Sequence, residues 1–230
     1  MFGVVVFPGS NCDYDCYDVA HRLLKQPTQF LWHHNPLPKE FFNNPKSHCI
    51  IVPGGFSYGD YLRTGAISAL SPLMNEIKKF VKEGGYVIGI CNGFQILCES
   101  GLLPGVLIRN ENLKFICEDV QLKVVNNQTA FSSGYQPDEI ITVPIAHGEG
   151  NYYCEPAVLK ELEQNNQIVF KYEGKNPNGS LANIAGICNK EKTVLGMMPH
   201  PERCAESVLG NNQGLKVFES ILKAVPALVR

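Results

Sequence analysis

The segment YVIGICNGFQILCESG, from Tyr86 to Gly101, is the strongest single constraint on the fold of this chain. Its first residues form an apolar run that is typical of a strand covered on both faces, and its later residues have the spacing of a helix. Between them lies Gly-Ile-Cys-Asn-Gly, a cysteine form of the G-x-S-x-G nucleophile turn. The segment therefore predicts a strand that ends at Ile90, a sharp turn at Cys91 and a helix that begins near Asn92.

The glycines on either side of Cys91 have a steric explanation. A nucleophile in such a turn adopts a strained backbone conformation, and side chains at positions 89 and 93 would collide with the strand or the helix. The turn also places Cys91 at a helix N-terminus, where free N–H groups and the helix dipole favour the thiolate. A second interpretation stays open, in which Cys91 only packs in a strand–helix crossover.

The composition is that of a soluble globular protein. The chain has 230 residues, of which 44% are hydrophobic and 18% charged, with a net charge of −2. Neither a nucleic acid nor a membrane is expected as a partner, because there is no basic surface signature and no apolar run near the ~20 residues that span a bilayer. Phe2 to Phe7 follow Met1 without a basic region, so no signal peptide is expected.

The nine cysteines are odd in number, irregularly spaced and without a CxxC pair. This pattern argues against a disulfide framework and against a metal site. We expect a reducing, cytoplasmic compartment, in which most of these thiols are small core residues. Cys12 is the one besides Cys91 whose reactivity is of interest.

Strands and helices alternate along the chain, which predicts an α/β fold of one domain over residues 1–230. Strands are predicted at 2–7, 29–32, 48–52, 86–90, 113–125, 139–147, 168–172, 184–188 and 193–198. Helices are predicted from a cap at Asn11 or Asp13 to about 25, and at 66–82, 92–101, 156–165 and 213–225. The expected architecture is an open, mostly parallel sheet flanked by helices. The strands of 113–147 have no long helix between them and predict an antiparallel extension.

A thiolate nucleophile needs a base, and His200 is the best candidate among the six histidines. It follows a predicted core strand, so it should emerge at the end of the sheet where Cys91 emerges and where sites form in open α/β sheets. Glu202 lies two residues on, on the same side of an extended backbone, and can orient the imidazole. The remaining histidines fit surface, loop or strand-edge roles: His21, His33, His34 and His48.

Two glycine-containing segments are candidate parts of the same site. The connection from Pro53 to Ile67 is rich in glycine but has neither GxxxxGK[ST] nor GxGxxG, so we do not expect a phosphate-binding loop. Either the N–H groups of Gly54 and Gly55 face a reacting oxygen, or the segment is only a tight turn. The AHGEGN segment holds a second His-x-Glu, without the PCxxC of a zinc deaminase. It lines the site or is a glycine turn after a strand.

Taken together, the motifs resemble a known family. The cysteine turn and the PHPE segment resemble the class I, triad-type glutamine amidotransferases. The wider set is similar to the small glutaminase subunits of phosphoribosylformylglycinamidine synthases, from Phe2 to about Phe218: VVVFPGSNCD, IVPGGFSYGDYLRTGAI, CNGFQILCESGLLPG, RNENLKFIC, PIAHGEGNYY and LGMMPHPER. The resemblance implies a flavodoxin-like sheet. Thr64 departs from it, because many relatives have cysteine there.

The resemblance also implies roles for individual residues. Cys91 would attack the side-chain amide of glutamine, His200 would move the proton and Glu202 would orient His200, with the backbone N–H groups of Gly55 and Asn92 as the oxyanion hole. The implied substrate-binding residues are Gly54, Gln95, His147, Gly148 and Glu149. No cofactor is implied in this chain. A large synthetase subunit would use ATP and Mg²⁺ to aminate formylglycinamide ribonucleotide in purine biosynthesis, and a small third protein would bridge the two.

Two other functions remain possible on the residues alone. The same turn chemistry would serve a free-standing cysteine hydrolase that acts on γ-glutamyl or peptide bonds. A non-enzymatic scaffold on the same fold is the third interpretation, although the cysteine, histidine and glutamate are all present.

Overall fold

The computed structural model of the protein describes residues 1–225; the last five residues of the expected 1–230 domain lie outside the described part. Its strands are β1 (Phe2–Val6), β2 (Thr28–Trp32), β3 (Cys49–Val52), β4 (Tyr86–Ile90), β5 (Val106–Ile108), β6 (Ile116–Val124), β7 (Ile140–His147), β8 (Asn151–Tyr153), β9 (Ile168–Tyr172), β10 (Ile184–Cys188) and β11 (Val194–Met197).

Nine of these strands form one mixed sheet in the order β2-β1-β3-β4-β11-β10-β9-β6-β7. The half from β2 to β11 is parallel, and the half from β10 to β7 runs antiparallel. Every residue of β3, β10 and β11 is buried, as expected of strands covered on both faces. The predicted α/β fold, with its antiparallel extension, is confirmed.

The helices are α1 (Asp13–Asp18), α2 (Lys39–Asn43), α3 (Ala66–Ala69), α4 (Pro72–Lys82), α5 (Asn92–Glu99), α6 (Pro156–Gln164) and α7 (Leu215–Ala224). The first continues as one π-helical segment, Val19–Leu23. Within residues 1–225, every helix is too short or too polar to cross a bilayer.

The helix predicted at 66–82 is two helices, so that prediction was wrong in its middle. The chain breaks between Ala69 and Pro72, and the Ser71 hydroxyl accepts a hydrogen bond from the Met74 N–H at 3.3 Å. Serine is a strong N-cap residue and proline suits the first helical position, so Ser71-Pro72 begins a new helix. Ser71-Pro72 is a visible signal for a new helix in the sequence, but the apolar residues keep their helical spacing across these two positions and so predicted one continuous helix.

Two further predictions need correction, and one small sheet was missed. Neither Asn11 nor Asp13 caps α1: Cys12 precedes the helix without a side-chain cap, and Asp13 is already its first residue. The strand predicted at 113–125 begins at Ile116, because Leu113 lies in a turn with φ +59°. A small antiparallel sheet of β5 and β8 was not predicted, since each strand has only three residues.

The pairing of β4 with β11 brings the C-terminal ends of these two strands side by side. The two strands are parallel neighbours, with Ile90 opposite Met197. The N–H of Cys91 donates to the carbonyl of Met197 at 2.8 Å. Parallel neighbours end at the same edge of a sheet, so the residues after Ile90 and after Met197 meet there.

Candidate active site

Cys91 sits in a strained turn between β4 and α5. Its φ of 52° and ψ of −107° lie far from both the strand and the helix region, and such strain is typical of functional positions. The glycines beside it make the turn possible. A Cβ at Gly93 would lie 1.8 Å from the Val52 carbonyl oxygen, and one at Gly89 would lie 2.7 Å from the Gly93 carbonyl oxygen. Only glycine fits at either position.

The Cys91 sulfur is nearly enclosed, with the residue 6% exposed. Its Sγ donates to the carbonyl of Ala146 at 3.6 Å, which brings the end of β7 against the turn. The backbone N–H groups of Gly55 and Asn92, the expected oxyanion donors, have no acceptor within residues 1–225. Both are therefore free to donate to a ligand.

His200 and Glu202 form a buried pair. Nδ1 of His200 lies 2.7 Å from Oε1 of Glu202, and the two residues are 2% and 3% exposed. The N–H of His200 donates to the Pro144 carbonyl at 2.8 Å, which fixes the backbone under the ring. Nε2 is buried without a hydrogen-bond partner in the described part of the chain. The ring is thus oriented through one nitrogen and free at the other.

The charge around His200 favours its protonated form. Burial alone disfavours a charged ring, but the Glu202 carboxylate, followed by the Cys91 sulfur and a hydrogen bond with the Cys12 sulfur, outweighs it and holds the pKa of His200 well above its usual value. A base of this kind accepts a proton from a neighbouring thiol readily, because the carboxylate stabilises the imidazolium.

Gly54 lies where the thiol and the imidazole come together. A Cβ on Gly54 would be 2.8 Å from Cε1 of His200, 3.1 Å from Sγ of Cys12 and 3.4 Å from Cβ of Cys91. The Gly54 carbonyl accepts hydrogen bonds from the N–H groups of Asn11 and Cys12 at 3.3 and 3.2 Å. The structure therefore places Gly54 as the backbone against which these side chains pack.

Two cavities meet at Cys91. They share five lining residues: Gly55, Phe56, Cys91, Phe115 and Ala146. One, of about 220 Å³, is also lined by Asp60, Thr64, Gln95, His147, Gly148 and Glu149. The other, of about 240 Å³, is also lined by Asn11, Cys12, His200 and Arg203. A larger cavity of about 410 Å³ lies near Leu162 and contains none of these residues. Cys91 therefore lies between two cavities, one lined by the acidic residues Asp60 and Glu149 and the other lined by the His200 imidazole.

His147 is the last residue of β7, as predicted, and its ring is held on both nitrogens. Nδ1 lies 3.0 Å from Oδ1 of Asn110, and Nε2 lies 3.5 Å from Nδ2 of Asn178. Burial, with the nearby charge of His200, lowers the pKa of His147 to about 4. Its ring is therefore neutral near pH 7.

Gln95 and Glu149 are joined to each other and to the turn. Nε2 of Gln95 donates to the carbonyl of Glu149 at 2.6 Å, and its Oε1 accepts from Nδ2 of Asn92 at 2.9 Å. The Glu149 carboxylate accepts from Oγ1 of Thr64 at 2.7 Å and lies 3.7 Å from Nε of Arg109. Gln95 thus holds the segment after β7 against the nucleophile turn, with Gly148 between His147 and Glu149 in the cavity wall.

Sequence reasoning did not single out three residues that the structure brings to the site. Asp60 lines the acid side, Asn110 holds His147, and Arg203 donates from Nη2 to Sγ of Cys12 at 3.0 Å. All three lie in the family-like motifs quoted above, which was the available signal. Cys12 itself is buried, and burial raises the pKa of its thiol.

The ligand atoms of Cys12, His200 and Glu202 lie within 4.8 Å of one another, a spacing that a metal ion can bridge. The Arg203 guanidinium lies 3.0 Å from the Cys12 sulfur, and this fixed positive charge opposes a cation there. The arrangement instead suits proton transfer, with a thiol, an imidazole and a carboxylate around one cavity edge.

Comparisons with known proteins bear on the fold and the family of this chain. A chain of the PurLQS structure from Thermotoga maritima is 42% identical, with a TM-score of 0.86, over 96% of this chain and 97% of that one. A protein described as part of a GMP synthase, from Thermoplasma acidophilum, is 14% identical with a TM-score of 0.63, over 99% of this chain and 94% of that one. A glutamine amidotransferase from Thermotoga maritima is 16% identical with a TM-score of 0.57, over 99% and 92%.

The last two similarities show the fold alone. The family model of the CobB/CobQ-like glutamine amidotransferase domain matches residues 2–220, nearly the whole chain. The chain therefore belongs to the CobB/CobQ-like glutamine amidotransferase family.

Proposed function

We propose that this chain is the glutaminase subunit of a phosphoribosylformylglycinamidine synthase. It hydrolyses glutamine to glutamate and supplies ammonia for the synthesis of formylglycinamidine ribonucleotide. The observation that carries the proposal is the strained Cys91 at a cavity edge shared with His200, whose Nδ1 is held by Glu202 and whose Nε2 is free. The 42% identity to the PurLQS chain supports the choice of synthase.

The first step is acylation of the thiol. His200 takes the proton of the Cys91 thiol, and the sulfur attacks the side-chain amide carbon of glutamine. The carbonyl π electrons move to oxygen, which becomes the oxyanion of a tetrahedral intermediate. The N–H groups of Gly55 and Asn92, free within the described residues, are proposed to hold this oxyanion. One such donor contributes about 3 kcal/mol of transition-state stabilisation.

The intermediate then collapses. The C–N bond breaks, the imidazolium of His200 gives its proton to the departing nitrogen, and ammonia leaves. A γ-glutamyl thioester remains on Cys91. Water attacks that thioester with His200 again accepting a proton, and the C–S bond breaks to give glutamate and the free thiol. One glutamine and one water thus yield one glutamate and one ammonia.

Ammonia is mostly protonated in water near neutral pH, and the ammonium ion is not a nucleophile. We infer that a partner receives it still neutral: a large synthetase subunit that uses ATP and Mg²⁺, held to this chain by a small bridging subunit. The proposed compartment is the cytoplasm. Glutamine is the substrate of this chain, with Gly54, Gln95, His147, Gly148 and Glu149 as its proposed surroundings.

The test uses the assembled complex. Cys91→Ser should abolish glutamine-dependent synthesis and leave synthesis driven by added ammonium unchanged, because only the ammonia source is removed. Cys117→Ser is the matched control, since Cys117 is exposed and should affect neither activity. Equal loss of both activities in the Cys91 variant would contradict the proposal that this chain only supplies ammonia and that the synthetase subunit uses it.

A second measurement separates the proposal from a free-standing hydrolase. An electrophilic glutamine analogue, 6-diazo-5-oxonorleucine, should label Cys91, and peptide mapping identifies the site. The partner subunits should raise the turnover of glutamine. Full glutamine turnover by the isolated chain, unchanged by the partners, would favour the free-standing hydrolase instead.

A further inference from the structure

We propose that an aromatic groove beside the active site binds an arginine side chain of the synthetase subunit. The groove has a volume of about 310 Å³ and is lined by Val6, Asp13, Tyr14, Phe30, Trp32 and Asn35. This inference rests on the proposed function, because it concerns where the proposed partner docks. It involves none of the residues that act on glutamine.

The first observation is that the walls of the groove are exposed aromatic rings. Phe30 and Trp32 alternate along β2, an edge strand of the sheet, so they project from the same face. The ring of Tyr14, on α1, lies 5.1 Å from that of Phe30. Tyr14 is 72% exposed, Trp32 45% and Phe30 38%. Neighbouring aromatic side chains left in solvent are typical of a protein–protein contact.

The second observation is an unpaired carboxylate in the same groove. Of the three aspartates of α1, Asp15 lies 3.6 Å from Nε of Arg203. Asp18 lies 2.7 Å from Nη2 of Arg22. Asp13 is 8% exposed and has neither an ion pair nor a side-chain hydrogen bond within residues 1–225. Its oxygens are not sealed from solvent, so the carboxylate is open to a ligand.

These two features together select a guanidinium group. A carboxylate that is largely withdrawn from water attracts a cation more strongly than an exposed one. The faces of aromatic rings attract cations as well, and a guanidinium stacks flat on a ring while it donates two hydrogen bonds to one carboxylate. A lysine ammonium is compact and strongly hydrated, so it suits flat aromatic walls less well. The groove therefore fits arginine.

The position of the groove indicates which partner supplies the arginine. Asp13 directly follows Cys12, which lines the Cys91 cavity together with His200. The groove and that cavity are therefore adjacent, joined through the first residues of α1. The subunit that receives ammonia must stand beside the cavity, so it is the one placed to reach the groove. Tryptophan, tyrosine and arginine are also the residues that dominate binding energy at interfaces.

The helix dipole is the competing explanation for Asp13. It is the first residue of α1, where a negative charge stabilises a helix. This explanation accounts for an acidic residue, but it does not account for three exposed aromatic side chains around it. It predicts an effect of Asp13 on the stability of the isolated chain and none on the binding of a partner.

The experiment measures the Kd between this chain and the synthetase with its bridging subunit, by calorimetric titration. Asp13→Asn should raise the Kd about 10- to 100-fold, the range for one lost charge-assisted hydrogen bond. Trp32→Leu should raise it by about 30-fold or more, as expected of a residue at the centre of an interface. Neither variant should change the rate at which the diazo analogue labels Cys91 in the isolated chain.

Asp18→Asn is the matched control. It removes the same charge from the same helix, at an exposed residue that is paired with Arg22. The Kd should stay as in the wild type. An unchanged Kd in either Asp13→Asn or Trp32→Leu would overturn the proposal.

A double-mutant cycle identifies the arginine. Each arginine of the two partner subunits is replaced by glutamine in turn. One such substitution in the synthetase should raise the Kd of the wild-type chain about 10- to 100-fold and have little further effect on the Asp13→Asn chain. The same cycle with Trp32→Leu keeps the proposal testable if Asp13→Asn does not fold.

Three results of the cycle would overturn the choice of occupant. These are the absence of any coupled arginine, a coupled arginine on the bridging subunit, and a dimer of the isolated chain that Trp32→Leu abolishes. Failure of the proposed function looks different, since the wild-type chain would then not bind the synthetase and the glutamine analogue would not label Cys91.

Discussion

Nδ1 of His200 lies 2.7 Å from Oε1 of Glu202, and both side chains are sealed from solvent. In a medium of low dielectric, this contact fixes the ring orientation and stabilises the imidazolium at the same time. The other nitrogen is left without a partner in the described residues, at the edge of the cavity that Cys91 also lines.

Glu202→Gln should lower the kcat of glutamine hydrolysis by a factor on the order of 10² to 10⁴, the range for general acid–base catalysis. The glutamine amide can still accept from Nδ1, but it removes the negative charge that stabilises the imidazolium. Turnover in the complex and the rate of Cys91 labelling by the diazo analogue measure the effect.

The matched control for that substitution is Glu161→Gln, on the surface beside Lys190. It should change neither rate, and both variants should keep the thermal unfolding of the wild type within a few degrees. Normal turnover in a folded Glu202→Gln variant would remove Glu202 from the mechanism.

Gly93→Ala should destabilise the fold strongly, because the added methyl would lie 1.8 Å from the Val52 carbonyl oxygen. A backbone atom cannot rotate away, so the cost is expected to reach about 3 kcal/mol, the upper part of the usual range for overpacking. For a chain of this size that lowers Tm by about 6–12 °C.

Gly148→Ala provides the comparison for the glycine substitution, since its methyl would have only an ordinary contact with Phe115 at 3.7 Å. Its Tm should stay within about 2 °C of the wild type. Similar Tm values for the two variants would show that the strand–helix turn relaxes more easily than its geometry indicates.

His147 should make stability depend on pH. Its folded-state pKa of about 4 lies below the ordinary value of about 6.5, so between these values the unfolded state binds the proton and the folded state does not. The free energy of unfolding is therefore undiminished by protonation of His147 above about pH 6.5. It decreases as the pH falls from 6.5 toward 4, because the unfolded state then binds a proton that the folded state does not. The loss is about 2 kcal/mol between pH 7 and pH 5.

Urea unfolding at the two pH values measures this difference in the free energy of unfolding. His147→Gln should reduce the difference by about 2 kcal/mol, although it lowers the absolute stability. The matched variant, His21→Gln, replaces an exposed ring and should leave the difference as in the wild type. If His147→Gln leaves the pH 7 to pH 5 difference in the free energy of unfolding as in the wild type, the pH dependence does not come from His147.

Two of the thiols outside the mechanism, Cys12 and Cys117, should differ in reactivity. Cys117 is exposed, whereas Cys12 is buried and burial raises the pKa of its thiol. A general alkylating agent such as iodoacetamide at pH 7.5 should therefore modify Cys117 rapidly and Cys12 only after unfolding. Mass spectrometry of native and urea-treated protein checks this, and rapid modification of Cys12 in the native state would contradict it.

Features with local causes could be predicted from the sequence. The strand, turn and helix around Cys91 follow from an apolar run, two glycines and helical spacing within 16 residues, and the structure has them at the predicted places. The parallel half of the sheet was predictable for the same reason. The break at Ser71 was missed because the apolar periodicity continues across it.

Features that depend on contacts between distant segments could not be predicted. Nothing near Asn110 in sequence indicates that its amide holds the ring of His147, 37 residues away. The place of Asp60 in the wall of the Cys91 cavity is visible only once the chain has folded. The order of the strands, with β11 between β4 and β10, likewise follows from the packing of the whole sheet.

That strand order has a consequence for biosynthesis. The strand that leads to the imidazole is the last of the eleven to leave the ribosome, and it must insert between two strands made earlier. A growing chain therefore carries its thiol for more than a hundred residues before a base stands beside it. Such a chain cannot release ammonia during its own synthesis, and truncation before β11 should leave a polypeptide without glutaminase activity, because it lacks His200 and Glu202.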